Sequence, residues 1–144
     1  MRAILPYFLG FAAVLLVVYY GFVAPRNLRF LLTAENLRIR GDLFYGRTIP
    51  RSSLLLEQAE MVPPEGKGAL QVRLRTNGVG LPNYQSGWFR TNFGKTLLFR
   101  RPARQAIAIP VEDAYTLIVT PADPDQFLRA LRTPQTSLQV PLAR

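Results

Sequence analysis

AILPYFLGFAAVLLVVYYGFVAP, residues 3–25, contains no charged residue and is closed by Arg2 on one side and Arg26 on the other. Coiled at 1.5 Å per residue, a segment of this length covers about 34 Å, enough for a hydrocarbon core of about 30 Å. It is apolar all round, which separates it from an amphipathic surface helix. Pro6 falls in the first turn, where a missing N–H matters least. Tyr7, Tyr19 and Tyr20 lie towards the ends, where amphipathic rings favour the headgroup level. The segment reads as an N-terminal transmembrane anchor over residues 1–25. A cleaved signal peptide is the rival, but cleavage after Ala24 would put Pro25 in the unfavourable first mature position. The charged part before the apolar run is also only Met1-Arg2. A buried core helix is the third reading.

Arg26, Arg29, Arg38 and Arg40 follow the segment closely, against Arg2 before it. The positive-inside bias thus leans to a single-pass protein of the cell membrane with its main domain on the cytoplasmic side.

The full chain of 144 residues carries 18 Lys plus Arg against 9 Asp plus Glu, a formal net charge of +9. It has no Cys and no His. Disulfides, thiolate nucleophiles, thiolate or imidazole metal sites and Ser-His-Asp machinery are therefore excluded. The sequence points to no enzyme, no cofactor and no metal.

Residues 26–133 read as one domain and 134–144 as a frayed tail. Short strands are predicted at Leu28–Leu32, Leu37–Arg40, Leu43–Ile49, 70–75, Gly87–Thr91, Thr96–Arg100, Ala106–Pro110 and Tyr115–Thr120. In Leu37-Arg38-Ile39-Arg40 apolar and charged residues alternate, the pattern of a half-buried strand. The same alternation puts Leu70, Val72 and Leu74 inward and Arg73 and Arg75 outward. Leu74, Ile109 and Leu128 are expected in the core. Ser52 or Ser53 is expected to cap a helical turn through Leu54–Gln58. Pro63–Gly68 is a loop by composition, 77–84 is irregular, and Asn92–Lys95 makes a hairpin turn. Asp123-Pro124-Asp125-Gln126 begins a helix, with Asp123 as N-cap and Pro124 at the first position. Phe127, Leu128 and Leu131 form its apolar stripe, Arg129 and Arg132 suit its C-terminal dipole, and Pro134 ends it.

The order of Leu37–Gly41, Tyr45–Pro50, Gly78–Tyr84, Gly87-Trp88-Phe89, Thr96–Phe99, Ala108–Pro110, Tyr115–Pro121 and Asp123–Leu128 resembles the bacterial pleckstrin-homology-like domain family over about residues 28–132. The resemblance implies a mainly β fold, an antiparallel barrel or two bent sheets with a C-terminal capping helix, often attached to membrane helices. It makes Gly80, Pro82, Gly87, Trp88, Phe89 and Pro110 structural motif positions and brings no catalytic site.

Other local patterns carry less. Gly94-Lys95-Thr96 echoes the end of a phosphate loop, but position 89 is Phe and the surroundings are a hairpin. Glu112 and Asp113 are a solvated loop tip, and Trp88 beside Phe89 is a possible stacking platform. The arginine excess, 16 Arg to 2 Lys, remains. One set is Arg26, Arg29, Arg38, Arg40, Arg47 and Arg51; a second is Arg90, Arg100, Arg101 and Arg104. Arg29 followed by Arg38-Ile39-Arg40 loosely matches the basic pattern with which eukaryotic members of the wider superfamily bind phosphoinositides. Arg29, Arg38, Arg40 and Arg47 are thus candidate lipid- or partner-binding residues, since guanidinium forks suit phosphate oxygens. The favoured function is a membrane-anchored binding or assembly module presenting a protein-interaction surface, to an unknown protein partner or a second copy. The alternative is a sensor of anionic lipid headgroups. Nucleic acid is not expected as a partner of a tethered domain.

Overall fold

The computed structural model describes residues 4–112, 114–134 and 137–144. Helix α1, Leu5–Asn27, has 23 residues. Its side chains from Leu5 to Val18 are almost all exposed. Only its last turns enter the domain, where Tyr20 and Ala24 are buried. Pro25 interrupts the helix and cannot donate to the Gly21 carbonyl four residues back. The preceding turn, Tyr19–Val23, widens to a π-helix, one of the recognised ways a helix absorbs such a break.

Two sheets follow. The first holds β1 (Arg29–Leu32), β2 (Asn36–Arg40), β3 (Arg47–Pro50) and the final strand β10 (Leu138–Pro141) in the order β10-β1-β2-β3. The second holds β4 (Glu60–Val62), β5 (Val72–Leu81), β6 (Tyr84–Thr91), β7 (Gly94–Arg100), β8 (Ala106–Val111) and β9 (Tyr115–Val119) in the order β4-β8-β9-β7-β6-β5. All pairings are antiparallel except β7 with β9, because the chain crosses over through β8. Helix α2, Pro124–Arg132, packs Phe127 and Leu131 against Phe30 and the main core. Asp123 accepts the Gln126 N–H at 3.0 Å, the expected N-cap. The fold is therefore the expected β architecture with a C-terminal helix.

In the first sheet the alternation is clean. Leu37 and Ile39 are buried while Arg38 and Arg40 are exposed. The middle of the second sheet is covered on both faces. One face lies on the main core, and the other packs Phe89, Leu98, Ala108 and Ile118 under Leu70 and Phe93. Thr96–Phe99 and Ala106–Ile109 are accordingly buried without alternation, as befits strands sandwiched between layers.

Several expectations are corrected. The strand expected over Leu43–Ile49 is only Arg47–Pro50, because Asp42 gathers the N–H groups of Phe44 and Tyr45 into a turn. Neither Ser52 nor Ser53 caps a helix; two 3-10 turns, Arg51–Ser53 and Leu56–Gln58, carry no side-chain cap. The chain there is held instead by Leu55 N–H on the Pro110 carbonyl at 2.9 Å. Strand β4 was not anticipated; three residues are too short to show a period. Residues 77–81 are not irregular but continue β5, which turns through Pro82-Asn83 into β6.

Val72 and Leu74 point to solvent, 38% and 57% exposed, contrary to the inward assignment. Strand β5 is an edge strand with register shifts between Val72 and Leu74 and between Arg75 and Asn77, so its first half runs beyond the cover of any layer. Arg73 and Arg75 are exposed as expected, Ile109 is fully buried and Leu128 only half-buried. The frayed tail is instead β10: Phe30 pairs with Val140 and Leu32 with Leu138, and Val140 and Leu142 are buried.

Arg51, grouped by sequence with the juxtamembrane arginines, is buried in the domain. Its Nη2 donates to the carbonyls of Ala130, Leu131 and Thr133 at 2.8, 2.9 and 2.6 Å, and its Nη1 to that of Thr33 at 3.0 Å. A cation thus satisfies the orphan carbonyls at the C-terminus of α2, where the dipole favours it. Replacing Arg51 with Met, which keeps much of the volume, should lower stability by about 3 kcal/mol. Thermal melting of the detergent-solubilised chain should read this as a large fall in Tm, and a Tm unchanged from wild type would show that Arg51 does not hold the helix end.

Candidate functional site

Two structures meet where α1 enters the domain: a polar collar that fixes the helix, and a recess lined with arginines beside it.

The collar centres on Asp42. Its Oδ1 accepts the N–H groups of Phe44 and Tyr45 at 3.1 Å each and the Tyr20 hydroxyl at 3.2 Å. Its Oδ2 accepts the Tyr84 hydroxyl at 2.6 Å. Tyr19 donates to the Gly41 carbonyl at 3.0 Å. Asn83 Nδ2 donates at 3.0 Å to the Gly21 carbonyl, the acceptor that Pro25 leaves without its helical donor. Tyr20 stacks between Phe44 and Tyr84, with centroids 6.1 and 6.2 Å away. Burial, and next the Asp42 charge, hold the Tyr84 phenol above the usual tyrosine range. Gly41 has φ +98°, and any side chain there would run into the Asn27 carbonyl; the β2–β3 turn therefore lies directly against the helix end.

The recess has a volume of about 930 Å3 and is lined by Pro25, Ala122, the segment 141–143 and five arginines, Arg26, Arg29, Arg101, Arg104 and Arg144. No Asp or Glu is among the lining residues. Arg26 ends α1. Arg29 begins β1 and folds back, its Nη1 on the Arg26 and Leu28 carbonyls at 2.8 and 2.9 Å. Arg101 follows β7, with its backbone N–H on Thr120 Oγ1 at 2.8 Å; its Nε is buried with no hydrogen-bond partner among the described residues. Arg104 Nε donates to the main-chain oxygen of Arg144 at 2.7 Å. The floor is built by the end of the chain: Leu142 N–H bonds to the Leu28 carbonyl and Ala143 N–H to that of Thr120. Guanidinium groups gathered with no Asp or Glu side chain among the lining suit an anion that offers several oxygens, such as a phosphate.

The arginines singled out from sequence are divided by the fold. Arg29 lies in the recess. Arg40 is directly opposite it across β1–β2, and Arg38, opposite Leu31, is two residues along the same exposed face. Like charges directly opposite on a sheet repel, so this face gains from an anion. Arg47 is elsewhere: it pairs with inward-facing Ile39 and lies over the rings of Trp88 and Tyr115, at 5.5 and 5.4 Å. Lys95 covers Trp88 at 5.0 Å, and Tyr115 meets it edge-on at 4.9 Å. Trp88 is thus occupied by its own neighbours rather than open as a stacking platform. Arg100 is also outside the recess, bonded to Gln85 Oε1 at 2.6 Å, its pKa lowered by burial.

Of the motif positions, Gly87 has φ +103° and no room for a Cβ beside the Asn77 carbonyl. Phe89 is buried in the smaller core, Gly80 and Pro82 form the end of β5 and its turn, and Pro110 lies in β8. Asp113 falls outside the described residues. Sequence reasoning missed Arg144 and the contribution of the C-terminal strand. The signal was present in the period-two spacing of Leu138, Val140 and Leu142.

A family model described as a bacterial PH domain matches residues 28–135. No curated protein and no solved structure matches the chain.

Asp42→Ala removes the acceptor of four donors. Amide exchange of Phe44 and Tyr45 should accelerate more than about tenfold, as expected for losing about 1.5–3 kcal/mol of charged hydrogen bonding. Protection equal to wild type would mean that the turn holds without the carboxylate.

Proposed function

The chain belongs to the bacterial PH domain family, and on that premise we propose that it is a non-catalytic, membrane-tethered binding module whose basic recess takes anionic lipid headgroups at the foot of its own anchor. The observation that carries this reading is the five-arginine recess, lined by no carboxylate side chain, that begins at Pro25 and Arg26, where the apolar helix ends. A helix spanning the bilayer from Leu5 onwards brings those arginines to headgroup level, where each basic side chain near an anionic leaflet contributes about 1 kcal/mol. The burial of Tyr20 and Ala24 in the domain core supports an anchor that is kept. Cleavage after Ala24 would strip the collar of Tyr19 and Tyr20 and uncover Tyr84.

The test is a lipid titration of the detergent-solubilised full chain, followed by native mass spectrometry, with phosphatidylglycerol against phosphatidylcholine. Wild type should retain the anionic lipid preferentially. Replacing Arg101 and Arg104 together with Gln should weaken that retention by about 2 kcal/mol, roughly 30-fold. Equal retention of both lipids by wild type would end the headgroup reading.

The outer edge of β5 favours a second reading, the presentation of a protein-interaction surface. Among the described residues this ten-residue strand has no partner on its outer side, and it exposes Val72 and Leu74. Such an edge accepts an added strand from a partner or a second copy. Leu74→Lys should abolish any crosslinked dimer formed by the wild-type chain in nanodiscs without changing its Tm; a dimer that persists would place the contact elsewhere.

A further inference from the structure

The turn between β2 and β3 carries two large apolar side chains that the described residues leave mostly exposed. Leu43 is 57% and Phe44 61% exposed. They are not on a loose loop. Asp42 Oδ1 accepts the N–H of Phe44 and of Tyr45, an Asx-type arrangement that sets the turn. The Tyr45 ring meets Phe44 edge-on at 6.3 Å, and its hydroxyl donates to Asn77 Oδ1 at 3.1 Å. Rigid presentation of exposed apolar groups costs solvation and needs a compensating environment.

Position supplies that environment. Phe44 stacks on Tyr20 at 6.1 Å with the planes 22° apart, so the turn lies alongside α1 rather than beyond its end. One turn back on the face of Tyr20, Leu16 is 42% and Val17 61% exposed. The apolar surface of α1 therefore continues sideways onto the domain through Leu43 and Phe44. The surrounding hydroxyls of Tyr19, Tyr20 and Tyr84 are all bonded to Gly41 or Asp42. This leaves a collar with its polar groups satisfied and its apolar tips outward, the composition that suits the boundary between headgroups and acyl chains.

We propose that Leu43 and Phe44 form a second membrane contact, inserted into the headgroup–acyl boundary beside α1. The inference rests on α1 spanning the bilayer. Two contact points, helix and wedge, stop the domain from swivelling about a single helical stalk. They fix which of its faces meets the membrane and thereby hold the arginine recess at one depth.

Tryptophan fluorescence in vesicles tests this on the full chain. Trp88 is the only tryptophan, so a Trp88→Phe background is dark. Into it are placed Phe44→Trp, Phe22→Trp as the reporter of the helix, and Leu74→Trp as the reporter of the far domain. Leu74 stands three residues along β5 beyond Asn77, which holds the Tyr45 hydroxyl, about 10 Å further from the turn at strand spacing. The chains are reconstituted into phosphatidylcholine–phosphatidylglycerol vesicles, with and without brominated acyl chains.

The expected result is a blue-shifted Phe44→Trp emission quenched to within about twofold of the Phe22→Trp reporter, with Leu74→Trp unquenched. Quenching of Phe22→Trp alone, with Phe44→Trp behaving like Leu74→Trp, overturns the wedge and leaves the membrane helix standing. If neither Phe22→Trp nor Phe44→Trp is quenched, the spanning reading falls and the wedge with it. Because Phe44 is exposed, its replacement by Trp does not disturb the core.

Discussion

A single carboxylate connects the two parts of this molecule. Asp42 accepts hydrogen bonds from two backbone amides of its own turn, one tyrosine of the helix and one tyrosine of β6. Charged hydrogen bonds of this kind are about twice as strong as neutral ones. These four donors come from three stretches of chain, so the group closes the turn, holds the helix end and ties both to the second sheet. Around it, Asn83 takes the carbonyl that Pro25 strands, and Gly41 allows the backbone to approach Asn27. The end of the apolar helix is thus part of the domain core rather than a rope from which the domain hangs.

That rigidity bears on the proposed headgroup binding. A flexible tether would let charge act only as an average attraction to an anionic surface, screened within about 10 Å at ordinary salt. A docked helix instead holds Arg26, Arg29, Arg101, Arg104 and Arg144 around one recess, with Arg40 and Arg38 continuing along the neighbouring face. The closing strand β10 makes this possible, because Leu142 and Ala143 bond to Leu28 and Thr120 and bring the end of the chain beside the helix foot.

The arginines also show that residue type does not settle role. Arg51 lies eleven residues from Arg40, yet it is buried and caps α2. Arg47 is a cover for Trp88 and Tyr115. Both were grouped by sequence with Arg29, Arg38 and Arg40. Proximity along the chain is a poor guide here, because every turn between short strands sends the next residues to another face or layer.

The sequence by itself determined the apolar helix, the β class, the helix started by Asp123-Pro124 and the inward positions of Leu37, Ile39 and Ile109. These follow from local rules, namely hydrophobic length, a period of two, and capping chemistry. It did not determine which face of β5 is covered, that the last residues complete a sheet, or which arginines share a surface. Strand edges, register shifts and the parallel β7–β9 crossover decide those, and they arise from pairings between residues far apart in the chain. The local pattern of Leu70-Gln71-Val72-Arg73-Leu74-Arg75 is sound for a strand, but only tertiary packing decides whether a layer exists for its apolar face to meet.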